Sequence, residues 1–146
     1  MTLANLVGRS LEEIEPDGTT IKRLLAAAER NIADAWITQI STENRFDAAY
    51  KAIMQLANAA LQANGYRTLT SVPGHHRTMI QLLGKTAGVD NDAIRVLDML
   101  RKQRNVADYS GDIIPESAMK ECIGRAESLL NQVKGWLTKN RPDLLE

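Results

Sequence analysis

Five apolar stripes, each spaced for one face of an α-helix and each bounded by capping or turn residues, narrow the fold of this chain more than any other feature. Apolar residues at i, i+3, i+4 and i+7 line one side of a helix, whereas a half-buried strand alternates residue by residue. Ile21, Leu24, Leu25, Ala28, Ile32, Trp36 and Ile40 keep the helical rhythm behind a cap at Asp17 or Thr19. Phe46, Ala49, Tyr50, Ile53, Ala57, Ala60 and Leu61 repeat it behind Ser41 and Thr42, and Asn64-Gly65 supplies a left-handed stop. After the Pro73-Gly74 turn, His75-His76 opens a third helix with Met79, Ile80, Leu82, Leu83 and Ala87 inward, and Gly88 ends it.

Asp90 or Asn91 caps a fourth helix whose stripe runs Ala93, Leu97, Leu100, Arg104, Ala107; a break is expected at Tyr109-Ser110-Gly111-Asp112. Pro115 suits the first turn of the last helix, which carries Ala118, Cys122, Ala126, Leu129, Val133 and Trp136 inward and closes at Arg141-Pro142. No segment sustains period-2 alternation and the connections are short. The expected fold is therefore all-α, an up-down antiparallel bundle of four to five helices. Residues 1–146 read as one domain, with a short lead-in over 1–17, in which Ser10 to Ile14 could form a helix, and a tail expected to fray over 141–146.

Composition agrees: 44% hydrophobic residues suffice for a core, and only 4% aromatics argue against a β-sandwich. Eighteen basic residues balance eighteen acidic ones, so nucleic acid would have to be met by a local patch and not by a global field. A single cysteine, Cys122, excludes an internal disulfide and the usual multi-cysteine zinc sites; its helical spacing marks it as a buried small hydrophobe. Neither a signal peptide nor an apolar run of roughly 18 residues is evident, so a cytoplasmic chain with no membrane association is expected. No cofactor or metal site is indicated.

Arg104 is the residue that stands out. It occupies a stripe position where another core side chain belongs, and an unpaired buried guanidinium is costly. Either it pairs with a carboxylate of another helix and fixes packing, or it faces a cleft and awaits an anion. Arg101 and Lys102 lie beside it and, with Arg95, make the one compact basic cluster, while Asn105, Asp108 and Tyr109 add hydrogen-bonding groups on the following turns. His75 and His76 are the only histidines; they read first as a solvated helix start and second as a source of proton transfer.

The segment Leu100-Arg101-Lys102-Gln103-Arg104-Asn105-Val106-Ala107-Asp108-Tyr109 resembles the terminal signature of the HEPN superfamily, helical nucleotide-binding domains of prokaryotes and higher eukaryotes. The Phe46-Asp47-Ala48-Ala49-Tyr50 run, the Gly74-His75-His76 step and the Ser110-Gly111-Asp112 link occur in matching order, so the resemblance spans roughly residues 19 to 137. It implies a helical bundle that dimerises through the helices bearing the signature. It also implies, for many members, an RNA-cleaving toxin paired with a nucleotidyltransferase-type antitoxin. Arg104 and Asn105 match the first motif positions, but Tyr109, after Asp108, stands where a histidine is expected. A phenol with a pKa near 10 is a poor neutral-pH base.

The expected function is accordingly binding of nucleotide or RNA at a basic dimer cleft without efficient cleavage. In it Arg101 and Arg104 hold phosphate, Asn105 positions, and Asp108 and Tyr109 touch base or ribose. Two alternatives stay open. One is a metal-independent ribonuclease of toxin-antitoxin or defence type, with Arg104 and Tyr109 or a histidine as catalytic candidates; the other is a homodimeric protein-interaction module.

Overall fold

The computed structural model describes residues 2–146, and it is predominantly α-helical. Helix α1 spans Gly18–Ala35, α2 Thr42–Ala63, α3 His75–Gln81, α4 Leu83–Thr86, α5 Asn91–Ser110 and α6 Glu116–Asn140. Two three-residue strands, β1 (Leu11–Glu13) and β2 (Tyr66–Thr68), complete the regular structure with two short 3-10 turns.

The helix starts follow local chemistry. The Asp17 carboxylate accepts the Thr19 N–H at 3.1 Å and the Thr20 hydroxyl at 2.8 Å. Ser41 accepts the Asn44 N–H at 3.1 Å, and Asp90 accepts the Ala93 N–H at 2.8 Å, each satisfying one of the orphan donors of a first turn. Gly65 (φ 91°) and Gly111 (φ 74°) take the left-handed conformation at helix ends, where a side chain would be strained.

Helix α2 is the central element and packs most extensively against α1 and α6. Its alanines at 49, 52, 57, 59, 60 and 63 are all buried, and their small side chains let the neighbouring helices approach closely. Phe46, Ile53, Leu56 and Leu61 fill the space between, against Ile21 of α1 and Met119 and Val133 of α6 within one core. Cys122 belongs to that core; burial pushes its thiol up to about 12, which makes it inert.

Several expectations are corrected. Ser10 to Ile14 form no helix: Leu11, Glu12 and Glu13 pair antiparallel with Thr68, Arg67 and Tyr66. That partner lies far along the chain, so nothing local in either three-residue piece marks it. The third helix is interrupted at Leu82 into α3 and α4, and α5 runs on through Tyr109 to Ser110. The apolar stripe of α1 stops at Ala35, because the chain turns there. Trp36 is left 56% exposed, its indole N–H donating to Glu127 at 3.2 Å, and Ile40 is exposed.

The C-terminal residues also dock and do not hang free. Pro142–Leu145 form a 3-10 turn, Leu144 is buried, and Arg141 grips Asp143 at 3.1 and 2.9 Å. The tail closes against α1, where Lys22 donates to the Glu146 carbonyl. Among the described residues, no helix is long and apolar enough to cross a membrane.

Candidate functional site

A cleft of about 620 Å³ opens between α2, the start of α3 and the middle of α5. Helix α2 forms its floor through a second stripe next to the apolar one: Asp47, Tyr50, Lys51, Met54, Gln55 and Asn58 recur every three or four residues. The wall comes from His75, His76 and Met79 of α3, with Thr68 and Thr70 from β2 and the residues after it. Arg104 of α5 closes one end.

Arg104 stands over the Tyr50 ring with its guanidinium carbon 5.0 Å from the centroid, a cation–π geometry. Its nearest carboxylate is Asp108, one turn on, at 3.7 Å; this contact joins two residues of one helix and is not a tie to another. One-third of the Arg104 side chain remains exposed. The cation is thus neither fully buried nor tightly neutralised. Of the two roles left open by the sequence, the cleft-facing one fits this geometry.

Beneath it the Tyr50 hydroxyl and His76 Nδ1 are 3.2 Å apart, and the His75 and His76 rings meet edge-on with centroids 4.8 Å apart. Burial pushes the Tyr50 phenol up to about 12, so it keeps its proton and can donate to Nδ1, which puts the imidazole proton on Nε2. Burial, then the charges of His75, Arg104 and Arg101, hold His76 below its ordinary pKa, so it is neutral at pH 7. Burial and the neighbouring Asp108 push the Asp47 carboxyl up, against the pull of Arg104. Together these groups offer a cation, two imidazoles and a phenol around one solvent-open space.

The remaining expected site residues are distributed differently. Arg101 is only 15% exposed and bound to Asp98 at 2.9 Å, with Lys102 on the same carboxylate at 3.3 Å. These hydrogen bonds outweigh burial and hold Asp98 below the ordinary carboxylate range, so Arg101 is matched inside α5 and does not line the cleft. Arg95 pairs with Asp92 on the surface. Asn105 is half-buried and Asp108 exposed; neither lines the cleft, although Asp108 touches Arg104.

Tyr109 is 92% exposed. Because α5 continues through it, five residues at about 100° each turn it roughly 140° away from Arg104. The histidines read from the sequence as a solvated helix start, yet they line the same cleft as Arg104. Tyr50 reads from the sequence as core, and its buried ring is core; only its hydroxyl reaches the site. The polar stripe on α2 was legible as a spacing but carried no motif.

Among the described residues, no group of three or more His, Cys, Asp or Glu is arranged to hold a metal ion. Compared with known proteins, the chain matches no protein-family model and no curated sequence.

Proposed function

We propose that this chain is a HEPN-like helical domain, an up-down antiparallel bundle, that binds nucleotide or RNA at the Arg104 cleft without efficient cleavage. The observation that carries this reading is a loosely paired guanidinium and two imidazoles facing one cleft of nucleotide size. Arg104 would meet a phosphate through its planar fork, and the N–H groups of His75 and His76 would complete the oxyanion's hydrogen bonds. Weak cleavage fits Tyr109, whose phenol lies in solvent and not beside Arg104.

A ribonuclease is the second reading, favoured by the two histidines next to Arg104. One imidazole would take the 2′-hydroxyl proton, the other would protonate the leaving oxygen, and Arg104 would balance the developing charge. A nucleotidyltransferase-type antitoxin partner belongs with that reading. Calorimetric titration with nucleoside monophosphates and single-stranded RNA, alongside a cleavage assay, tests both. Saturable binding with intact RNA, lost in the His75→Gln/His76→Gln variant, supports the binding module. Cleavage that this variant abolishes moves the assignment to ribonuclease, and absence of any binding refutes both.

We further infer a homodimer through the opposite face of α5, where Met99, Val106 and Tyr109 stand exposed. If the cleft binds nothing, this face leaves a protein-interaction module as the function. Light scattering checks the dimer: a monomer at micromolar concentration removes it.

A further inference from the structure

The end of the cleft remote from Arg104 carries a second, differently built set of groups, and on the nucleotide reading above it assigns the base. We propose that this end selects a base edge with two neighbouring hydrogen-bond acceptors, as guanine and cytosine carry and adenine and uracil do not. Guanine presents N7 and O6 side by side, whereas adenine pairs the N7 acceptor with an amino donor; cytosine offers O2 and N3, whereas uracil interposes an N–H.

The amides of Gln55 and Asn58 give the reason. Gln55 Oε1 accepts from Asn31 Nδ2 at 2.8 Å, and Asn58 Oδ1 accepts from Gln62 Nε2 at 3.1 Å. Each carbonyl is taken up by a neighbour, which fixes the amide and leaves its NH₂ as the group offered to the cleft. Neither amide nitrogen donates to an acceptor among the described residues. Three residues apart on α2, the two side chains are surface neighbours, so their donors lie close enough to meet adjacent acceptors. Lys51 adds a further donor and no acceptor.

The acceptor side of the cleft is at the other end. Asp47, the one carboxylate lining it among the described residues, lies two turns from Gln55, roughly 12 Å along the helix axis. From Tyr50, under Arg104, the axis advances roughly 7 Å to Gln55 and roughly 12 Å to Asn58, a separation that suits a phosphate at one end and a base at the other. Met54 and Met79 line the same stretch and offer polarizable surface to the flat face of a base. The hydroxyls of Thr68 and Thr70 donate or accept as required and so do not discriminate.

Calorimetric titration of the intact chain with 5′-GMP, CMP, AMP and UMP tests the assignment. GMP, CMP or both are expected to bind about tenfold tighter than AMP and UMP. In Gln55→Glu/Asn58→Asp the two donors become acceptors of nearly the same shape, and the preference should vanish or reverse. Gln55→Met, which keeps the volume and removes the amide, should level the four ligands even if the double variant does not fold. Equal binding of all four by wild type, still weakened by Arg104→Ala, overturns the base assignment and leaves the phosphate site standing. Failure of every nucleotide to bind removes both.

Discussion

Replacing Arg104 by alanine separates a residue that waits for an anion from one that holds the fold together, because the structure bounds what each role would cost. The guanidinium gives up two interactions. Its contact with Asp108 is a partly exposed i,i+4 pair at 3.7 Å, of a kind that contributes about 0.3–0.5 kcal/mol. Its place over the Tyr50 ring at 5.0 Å contributes about 1 kcal/mol, between the values for exposed and desolvated cation–π pairs. Asp108 is nearly half exposed and loses little when left alone.

The sum is about 1.5 kcal/mol, against about 3–5 kcal/mol for breaking a buried salt bridge. For a chain of 146 residues this predicts a fall in Tm of about 6 °C or less, where a scaffold role would give 10 °C or more. Hydrogen bonds from a charged group to phosphate are worth about 1.5–3 kcal/mol, so nucleotide affinity should fall about tenfold or more. Thermal melts of wild type and Arg104→Ala, each with and without nucleotide, read both quantities. A fall in Tm beyond 10 °C with unchanged ligand stabilisation would refute the cleft role and return Arg104 to packing.

Acidification probes His76, whose folded pKa lies below the unfolded value of 6.5. Below about pH 6.5 the unfolded chain binds a proton that the folded imidazole resists, so His76 lowers stability as pH falls from there through its folded pKa. Urea midpoints measured from pH 7.5 to 5 should therefore fall more steeply in wild type than in His76→Gln; parallel curves would show that His76 is not held neutral. Gly18→Ala puts a Cβ 2.9 Å from the Leu144 carbonyl oxygen, and a backbone atom cannot rotate away. Faster hydrogen exchange over 142–146 and a Tm lowered by a few degrees are expected, and unchanged exchange would contradict the docked tail. Phe46→Ala empties a fully buried site and should cost about 3–5 kcal/mol in denaturant unfolding; a loss below about 1 kcal/mol would contradict its place in the core.

Features that depend on near neighbours are legible in the order of residues alone. Asp17, Ser41 and Asp90 cap helices because an oxygen two or three residues before an orphan N–H is in reach whatever the rest of the chain does. The stripe from Phe46 to Leu61 is buried as its spacing requires, and Gly65 and Gly88 end helices in the left-handed region. The sequence also singled out Arg104, since a cation on an apolar stripe is conspicuous without any knowledge of its surroundings.

Whatever joins distant segments was set by packing in three dimensions. The pairing of Leu11–Glu13 with Tyr66–Thr68 and the docking of Leu144 near Gly18 are held by partners far along the chain, which leave no periodic trace in pieces of three or four residues. The cleft is of the same kind: His76 lies 26 residues from Tyr50, and Arg104 comes to the same cleft from a third helix, over the Tyr50 ring. Adjacency in sequence groups Arg104 with Arg101 and Tyr109. An α-helix advances about 100° per residue, so neighbours on the chain point to different sides of it. That rotation left Arg101 with Asp98 and Tyr109 in solvent, and the packing of α3 against α2 and α5 set the histidines beside Arg104.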